Sequence, residues 1–405
     1  MKVTHLQTYI VATPPPHIGG MYWIFVRLAT DCGIEGVGEI YSATFHPSAQ
    51  LAMIADVFDR YLKGHDPHHV ERFYRLCYSS GFTQRPDLSM MGIVSGLEMA
   101  CWDIIGKAAG KPVYELIGGR VHERLRTYTY LYPKNAQGEY DYSDPDLAAE
   151  AARAYLEQGF TAVKFDPAGP YTAYSGHHLS LAVMRRAEVF CQKVRDAVGD
   201  GCDLLFGTHG QMTPASAIRL AKRLEAYDPL WFEEPVPPGQ PEAMAEVAAK
   251  TRIPIAAGER LTTKYEFAAL LKAGGARILQ MNLGRVGGIL EAKKIAALAE
   301  TYYAEVAPHL YNGPIGAAAS IQLATATPNF LMQESIETWG GFYADILHQP
   351  IRWEQGYIIP PTSPGLGIEV NWDVVAAHSP YAGERLHLQM HPRPYDVGDD
   401  APAKG

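Results

Sequence analysis

The chain has 405 residues, 47% of them hydrophobic and 20% charged, with 35 Lys and Arg against 44 Asp and Glu for a net charge of −9. That is enough for two domains, or one barrel with an appendage, around a normal buried core. The acidic balance and the lack of a basic run argue against a nucleic-acid partner. Five cysteines (Cys32, Cys77, Cys101, Cys191, Cys202) show no paired spacing and fit a reducing compartment. The N-terminus carries no signal-peptide core, and no run of 18 apolar residues marks a membrane span. A soluble, cytoplasmic protein with no membrane partner is expected.

Residues 1–40 alternate apolar and polar positions, with a turn at 33–38, and read as an antiparallel meander. Residues 47–120 switch to helical periodicity. The stretch 95–110 is a helix with a small-residue face that must pack closely. From residue 127, short β-rich runs alternate with helical stretches. The candidate strands are 127–132, 162–166, 203–208, 230–232, 255–257, 278–281, 305–307 and 330–333. Eight such units favour a closed barrel over an open doubly wound sheet, and no Gly-rich dinucleotide fingerprint follows any strand. The expected division is an α+β capping domain over 1–125, a TIM-like barrel over 126–350, a segment at 351–390 that returns to the cap, and a flexible tail at 391–405. Long loops at 133–143 and 168–180 carry Tyr140, Tyr142, Tyr171 and Tyr174, and either cover the site or form an oligomer contact.

Glu233 and Glu259 each close a short apolar run, 26 residues apart, about one strand–helix–strand unit. In a parallel barrel such carboxylates converge on the C-terminal mouth, where two of them suit a hard divalent cation such as Mg²⁺. The other strand ends add Lys164 and Asp166, Gly207 and His209, Asn282, His309 and Glu334. Residues two apart on a strand face the same way. The chain has 15 histidines, but His209 and His309 differ from most in closing apolar strands. A cation, two imidazoles and an ammonium together suit abstraction of a proton next to a carboxylate. Tyr132 and Trp339 are candidate substrate contacts.

Several segments, in order and spacing, carry a resemblance: 97–119, ending in Gly118-Gly119; Phe232-Glu233-Glu234-Pro235; Ala257-Gly258-Glu259; Gly287-Gly288-Ile289; Ala307-Pro308-His309; and 364–370. They resemble the enolase superfamily, in particular its mandelate-racemase-like branch and the acid-sugar dehydratases within it. The resemblance implies an α/β fold, a (β/α)₇β barrel with an α+β cap, Mg²⁺ (or Mn²⁺ in its place), and removal of the proton α to a carboxylate. Glu233 and Glu259 match two metal ligands, His309 the seventh-strand base, Glu334 the eighth-strand acid and Lys164 the second-strand lysine. His209 resembles the third-strand histidine of galactonate- and mannonate-type dehydratases.

Two positions depart from the pattern. Gly207 stands where an acidic metal ligand is expected, and Asn282 where an Asp would orient His309. Asp166, at the end of the preceding strand, is the candidate replacement ligand; its alternative is pairing with Lys164 or capping the loop at Pro167. The resemblance implies a Mg²⁺-dependent hydro-lyase that removes water from a sugar acid to give a 2-keto-3-deoxy acid, with His309 as base, alone or with Lys164, and His209 as the acid for the leaving hydroxyl. A racemase, epimerase or cycloisomerase shares the first half-reaction, and the two departures leave a non-catalytic sugar-acid-binding barrel as the other alternative. A homo-oligomer is expected.

Overall fold

The computed structural model describes residues 1–394 except 42, 43, 83, 170 and 175. Parts of the 168–180 loop, and most of the tail expected at 391–405, therefore lie outside the described residues. Three antiparallel strands open the chain: β1 (Val3–Ala12), β2 (Tyr22–Thr30) and β3 (Glu35–Ile40). The helices α1 (Pro47–Tyr61), α2 (Val70–Ser79), α3 (Leu88–Ala109) and the short α4 (Val113–Leu116) follow. Asp87 caps α3, accepting the Met90 N–H at 2.9 Å, and left-handed Gly110 ends it. The close packing expected of its small-residue face is present. A Cβ on Gly38 of β3 would fall 1.8 Å from the carbonyl oxygen of Gly96, and one on Gly36 would fall 2.2 Å from that of Ala100. By length and composition α3 could cross a membrane, but it lies mostly buried in the core of the cap.

The barrel strands are β4 (Leu125–Tyr130), β5 (Ala162–Phe165), β6 (Asp203–Gly207), β7 (Trp231–Glu233), β8 (Ile255–Ala257), β9 (Ile278–Leu279), β10 (Glu305–Val306) and β11 (Gln333–Ser335). All pair in parallel from β4 to β10, and β11 returns to β4 through Gln333–Thr127 and Ser335–Thr129. Closure between β10 and the last strand comes from Val306, which bridges Phe330 and hydrogen-bonds Asn329 and Leu331. The eighth strand therefore sits three residues beyond its expected start: Phe330 serves the β10 side and residues 333–335 the β4 side. The helices between are α5 (Pro145–Glu157), α6 (Leu181–Val198), α7 (Pro214–Leu224), α8 (Pro241–Ala248), α9 (Lys264–Ala273), α10 (Ile289–Glu300) and α11 (Pro314–Thr325). Four of them begin at a proline, whose fixed φ suits the first turn and whose missing N–H costs nothing there. The chain is a (β/α)₇β barrel with an α+β cap.

One residue from each strand fills the barrel interior: Tyr128, Ala162, Leu205, Trp231, Ala256, Ile278, Ala307 and Met332. The cap grips the barrel through buried carboxylates. Glu98 of α3 accepts the Ile289 and Leu290 N–H groups that start α10, and Glu39 of β3 accepts those of Gly313 and Gly316 at the start of α11. The segment after the barrel begins with a hairpin, β12 (Trp353–Glu354) and β13 (Tyr357–Ile358), that pairs with β4. It then reaches the cap, where the Ala12 N–H donates to His378 O and the Tyr381 N–H to Ile10 O. His391, within the expected tail, accepts the Ala173 N–H at 2.9 Å.

Candidate active site

Two residues beyond each interior residue lies the next inward layer, by the two-residue period of a strand. It comprises Tyr130, Lys164, Gly207, Glu233, Gly258, Gln280, His309 and Glu334. Four residues named from the sequence, Lys164, Glu233, His309 and Glu334, thus belong to one ring at the C-terminal mouth, with Gly207 among them. The same period could have named Tyr130 and Gln280, which the sequence reading missed.

Lys164 is 2% exposed and Glu233 fully buried. The ammonium donates to Glu233 Oε1 at 2.7 Å and to Glu334 Oε1 at 3.3 Å. Burial alone would push the lysine down, but the charges of Glu233 and Glu334 outweigh it and hold Lys164 well above its ordinary value, as an ammonium. Burial pushes Glu233 up, and the Lys164 ammonium 2.7 Å away opposes it and keeps the pair ionic. Trp231 Nε1 donates to the other Glu233 oxygen at 3.3 Å.

His309 is oriented through its Nδ1. The Gly284 N–H donates to Asn282 Oδ1 at 2.8 Å, so the amide group of Asn282 turns its Nδ2 toward His309. That Nδ2 lies 3.0 Å from His309 Nδ1 and 3.3 Å from His309 O. Since the amide only donates there, Nδ1 accepts, and the neutral ring carries its proton on Nε2. Nε2 faces Glu259 Oε2 at 3.3 Å and Glu334 Oε2 at 4.0 Å. Glu334 Oε2 also accepts the Leu310 N–H at 2.7 Å. Burial lowers the His309 pKa, which keeps the ring neutral. An Asp at 282 would accept from Nδ1–H and leave a lone pair on Nε2; Asn282 sets the opposite tautomer. Burial pushes Glu259 up, but with both imidazoles neutral the Lys164 ammonium and the Arg285 guanidinium still outweigh it and hold the carboxyl ionised.

His209 Nδ1 lies 2.8 Å from the Tyr171 hydroxyl, whose proton is donated to Gly207 O at 3.3 Å. Their rings meet edge to face, with centroids 4.8 Å apart. Burial lowers the His209 pKa to about 4. Tyr171 comes from the 168–180 loop, so this loop reaches the site; spacing along the chain carries no sign of which tyrosine would do so. Tyr140 and Tyr142 of the other long loop pack on Tyr132 instead, with centroids 5.9 and 6.4 Å away.

Other expected site residues stand apart from this cluster. Asp166 accepts the Ala168 N–H at 2.7 Å and a long bond from Gln211 Nε2 at 3.4 Å, so its carboxylate caps the loop after Pro167, and burial pushes it up to about 7. Trp339 is 1% exposed and packs edge-on against Tyr343 at 5.4 Å. Tyr132 lines a cavity of about 760 Å³ with the Pro14–Pro16 loop, Tyr140 and Glu337, and none of Lys164, Glu233, Glu259 or His309 borders it.

The pattern of the mandelate racemase/muconate lactonizing enzyme N-terminal domain matches residues 13–118, and that of the enolase C-terminal domain matches residues 146–374. The chain belongs to the enolase superfamily. Among its relatives is a D-galactonate dehydratase of Verminephrobacter eiseniae, 36% identical over 94% of both chains. A D-xylonate dehydratase of Haloferax volcanii is 34% identical over 93% of this chain and 89% of its own. A solved mandelate racemase/muconate lactonizing enzyme-type protein from Burkholderia SAR-1 is 74% identical over the whole of both chains, with a TM-score of 0.98. The two curated relatives are named dehydratases, which are hydro-lyases.

Superfamily membership implies a Mg²⁺ ion held by carboxylates at the third, fourth and fifth strand ends, here Gly207, Glu233 and Glu259. The residues present do not fit that ion. Position 207 offers no side-chain oxygen, Glu233 is bonded to the Lys164 ammonium, and Asp166 is turned to its own loop. Among the described residues no group of three or more His, Cys, Asp or Glu side chains is placed to hold a metal.

Proposed function

We propose that the protein is a sugar-acid dehydratase, removing water from a polyhydroxy acid to give a 2-keto-3-deoxy acid. The observation that carries this reading is the pair of imidazoles in opposite states at one barrel mouth. His309 is an Nε2–H donor, and His209 is a neutral ring whose Nδ1 meets the Tyr171 hydroxyl. The relatives named galactonate and xylonate dehydratases support the substrate class.

In this reading the Tyr171 proton goes to Gly207 O, the hydroxyl oxygen accepts Nδ1–H of His209, and His209 Nε2 is the base. It takes the proton α to the substrate carboxylate. His209 then passes that proton to the β-hydroxyl, which leaves as water, while His309 donates its Nε2–H as a hydrogen bond to the leaving oxygen. The C–H electron pair first spreads onto the substrate carboxylate as an enediolate, then forms the enol double bond as the C–O bond breaks, and the enol tautomerises to the 2-keto acid. Glu259 Oε2, 3.3 Å from His309 Nε2, lies beside the proton that would meet the leaving oxygen. These roles reverse those expected from the resemblance alone, because Asn282 replaces the Asp that would have made His309 the base.

The experiment is incubation with a library of aldonic acids in D₂O, followed by proton NMR. Loss of the α-proton signal with a growing 3-deoxy methylene is the expected result. Exchange of the α-proton without a methylene would replace dehydration by racemisation or epimerisation, and no change with any acid would end the proposal.

A further inference from the structure

We propose that Lys164 is the resident cation of this site, occupying the place of the superfamily's divalent metal, and that the protein works without one. This deepens the dehydratase reading, and rests on it only for what the cation acts upon.

The geometry begins at Gly207. A Cβ built there would stand 2.6 Å from Lys164 Cε, 2.9 Å from Cγ and 3.3 Å from Cδ. The lysine stem therefore fills the slot into which an acidic side chain at 207 would project. Register explains why: Lys164 pairs with Leu205 and Gly207 with Glu233, so the three positions lie on adjoining strands of one inward layer. From that slot the ammonium reaches Glu233 at 2.7 Å and Glu334 at 3.3 Å, and its field is felt at Glu259.

Charge and space change together. Glycine at 207 removes one carboxylate from the expected ligand set, and the second-strand lysine takes the volume that carboxylate would have filled. Glu233 then spends an oxygen on the ammonium rather than on a metal, and Glu259 faces His309 Nε2–H at 3.3 Å. A buried ammonium with two carboxylates is a satisfied arrangement, whereas a second cation in the same volume would face like-charge repulsion at close range. The fixed charge also has a use in the proposed reaction. Removal of the α-proton leaves negative charge on the substrate carboxylate oxygens, and a preorganised ammonium stabilises it without reorganisation.

The test is metal binding, measured apart from turnover. Chelator-treated, dialysed wild-type protein is titrated with Mg²⁺ and Mn²⁺ by calorimetry, with electron paramagnetic resonance to count free Mn²⁺. No saturable binding is expected up to concentrations on the order of millimolar, and neither ion should raise the melting temperature. The double substitution Lys164→Met with Gly207→Asp vacates the slot and restores the third carboxylate, and it should gain Mn²⁺ binding and a metal-dependent rise in melting temperature. Stoichiometric binding by the wild type overturns the proposal, as does a folded double variant that takes up no metal. If the double variant does not fold, the wild-type titration decides alone. Absence of dehydration with every acid tested would remove the reaction while leaving the binding result to stand or fall separately.

Discussion

Lys164 and Gly207 share one volume: the lysine stem runs past the glycine so closely that a methyl group at 207 would lie 2.6 Å from Cε. The stem cannot swing aside, because its ammonium is held by Glu233 and Glu334. Gly207→Ala should therefore destabilise the fold by roughly 1–3 kcal/mol through overpacking. Denaturant unfolding measures this, and an unchanged midpoint would show that the stem yields at no cost.

The ion pair itself gives a second prediction. Both groups are buried, so Lys164→Met strands the carboxylates and should cost about 3–5 kcal/mol, the usual penalty for breaking a buried pair from one side. Adding Glu233→Gln should recover part of that loss, because the stranded charge goes with it. Additive losses in the double variant would mean that the two side chains do not act as a pair.

The tautomer of His309 is directly observable. Nitrogen-15 NMR of the imidazole should find Nε2 protonated in the wild type. Asn282→Asp should move the proton to Nδ1, since a carboxylate there accepts where the amide donates. If the wild-type proton is already on Nδ1, the assigned roles of the two histidines must be exchanged.

Those roles separate by isotope exchange. His209→Asn should abolish exchange of the substrate α-proton with solvent. His309→Asn should stop the loss of water while leaving exchange measurable, each with a fall in turnover of about 10²-fold or more. Retained α-exchange in His209→Asn would return the base role to His309.

The cap–barrel contact through Glu98 predicts a pH effect. Burial raises this carboxyl from its ordinary 4.5 to about 8. Between those values the folded state holds a proton that the unfolded state has released, so this group's contribution to stability falls as pH rises from about 4.5 to about 8 and is level above. Glu98→Gln removes that slope. Its melting temperature relative to wild type should rise by a few degrees from pH 5 to pH 8. A difference independent of pH would show that Glu98 is ionised throughout.

Much of this molecule was legible in order along the chain. Short apolar runs bounded by helical stretches marked all eight strands, because a parallel barrel buries both faces of each strand and leaves continuous hydrophobic signatures. The same local logic placed Lys164, Glu233, His309 and Glu334 at strand ends, since a charged or titratable residue closing an apolar run has few places to go but the mouth. The small-residue face of α3 announced a close contact, but its partners Gly36 and Gly38, read as part of a turn, were placed on β3 only by the structure. What only the tertiary structure decided is how these groups answer one another. Asp166 looked equivalent to a ligand along its strand, but a loop N–H lies within reach of its carboxylate and takes it away. Asn282 looked like a lost charge, yet the Gly284 N–H fixes its amide and thereby chooses which nitrogen of His309 bears the proton. Gly207 looked like a vacancy, and it is filled by a lysine from the neighbouring strand. Sequence periodicity sets which face a residue points to, while register between strands and the reach of a loop set what it meets there, and both of those are properties of the closed barrel alone.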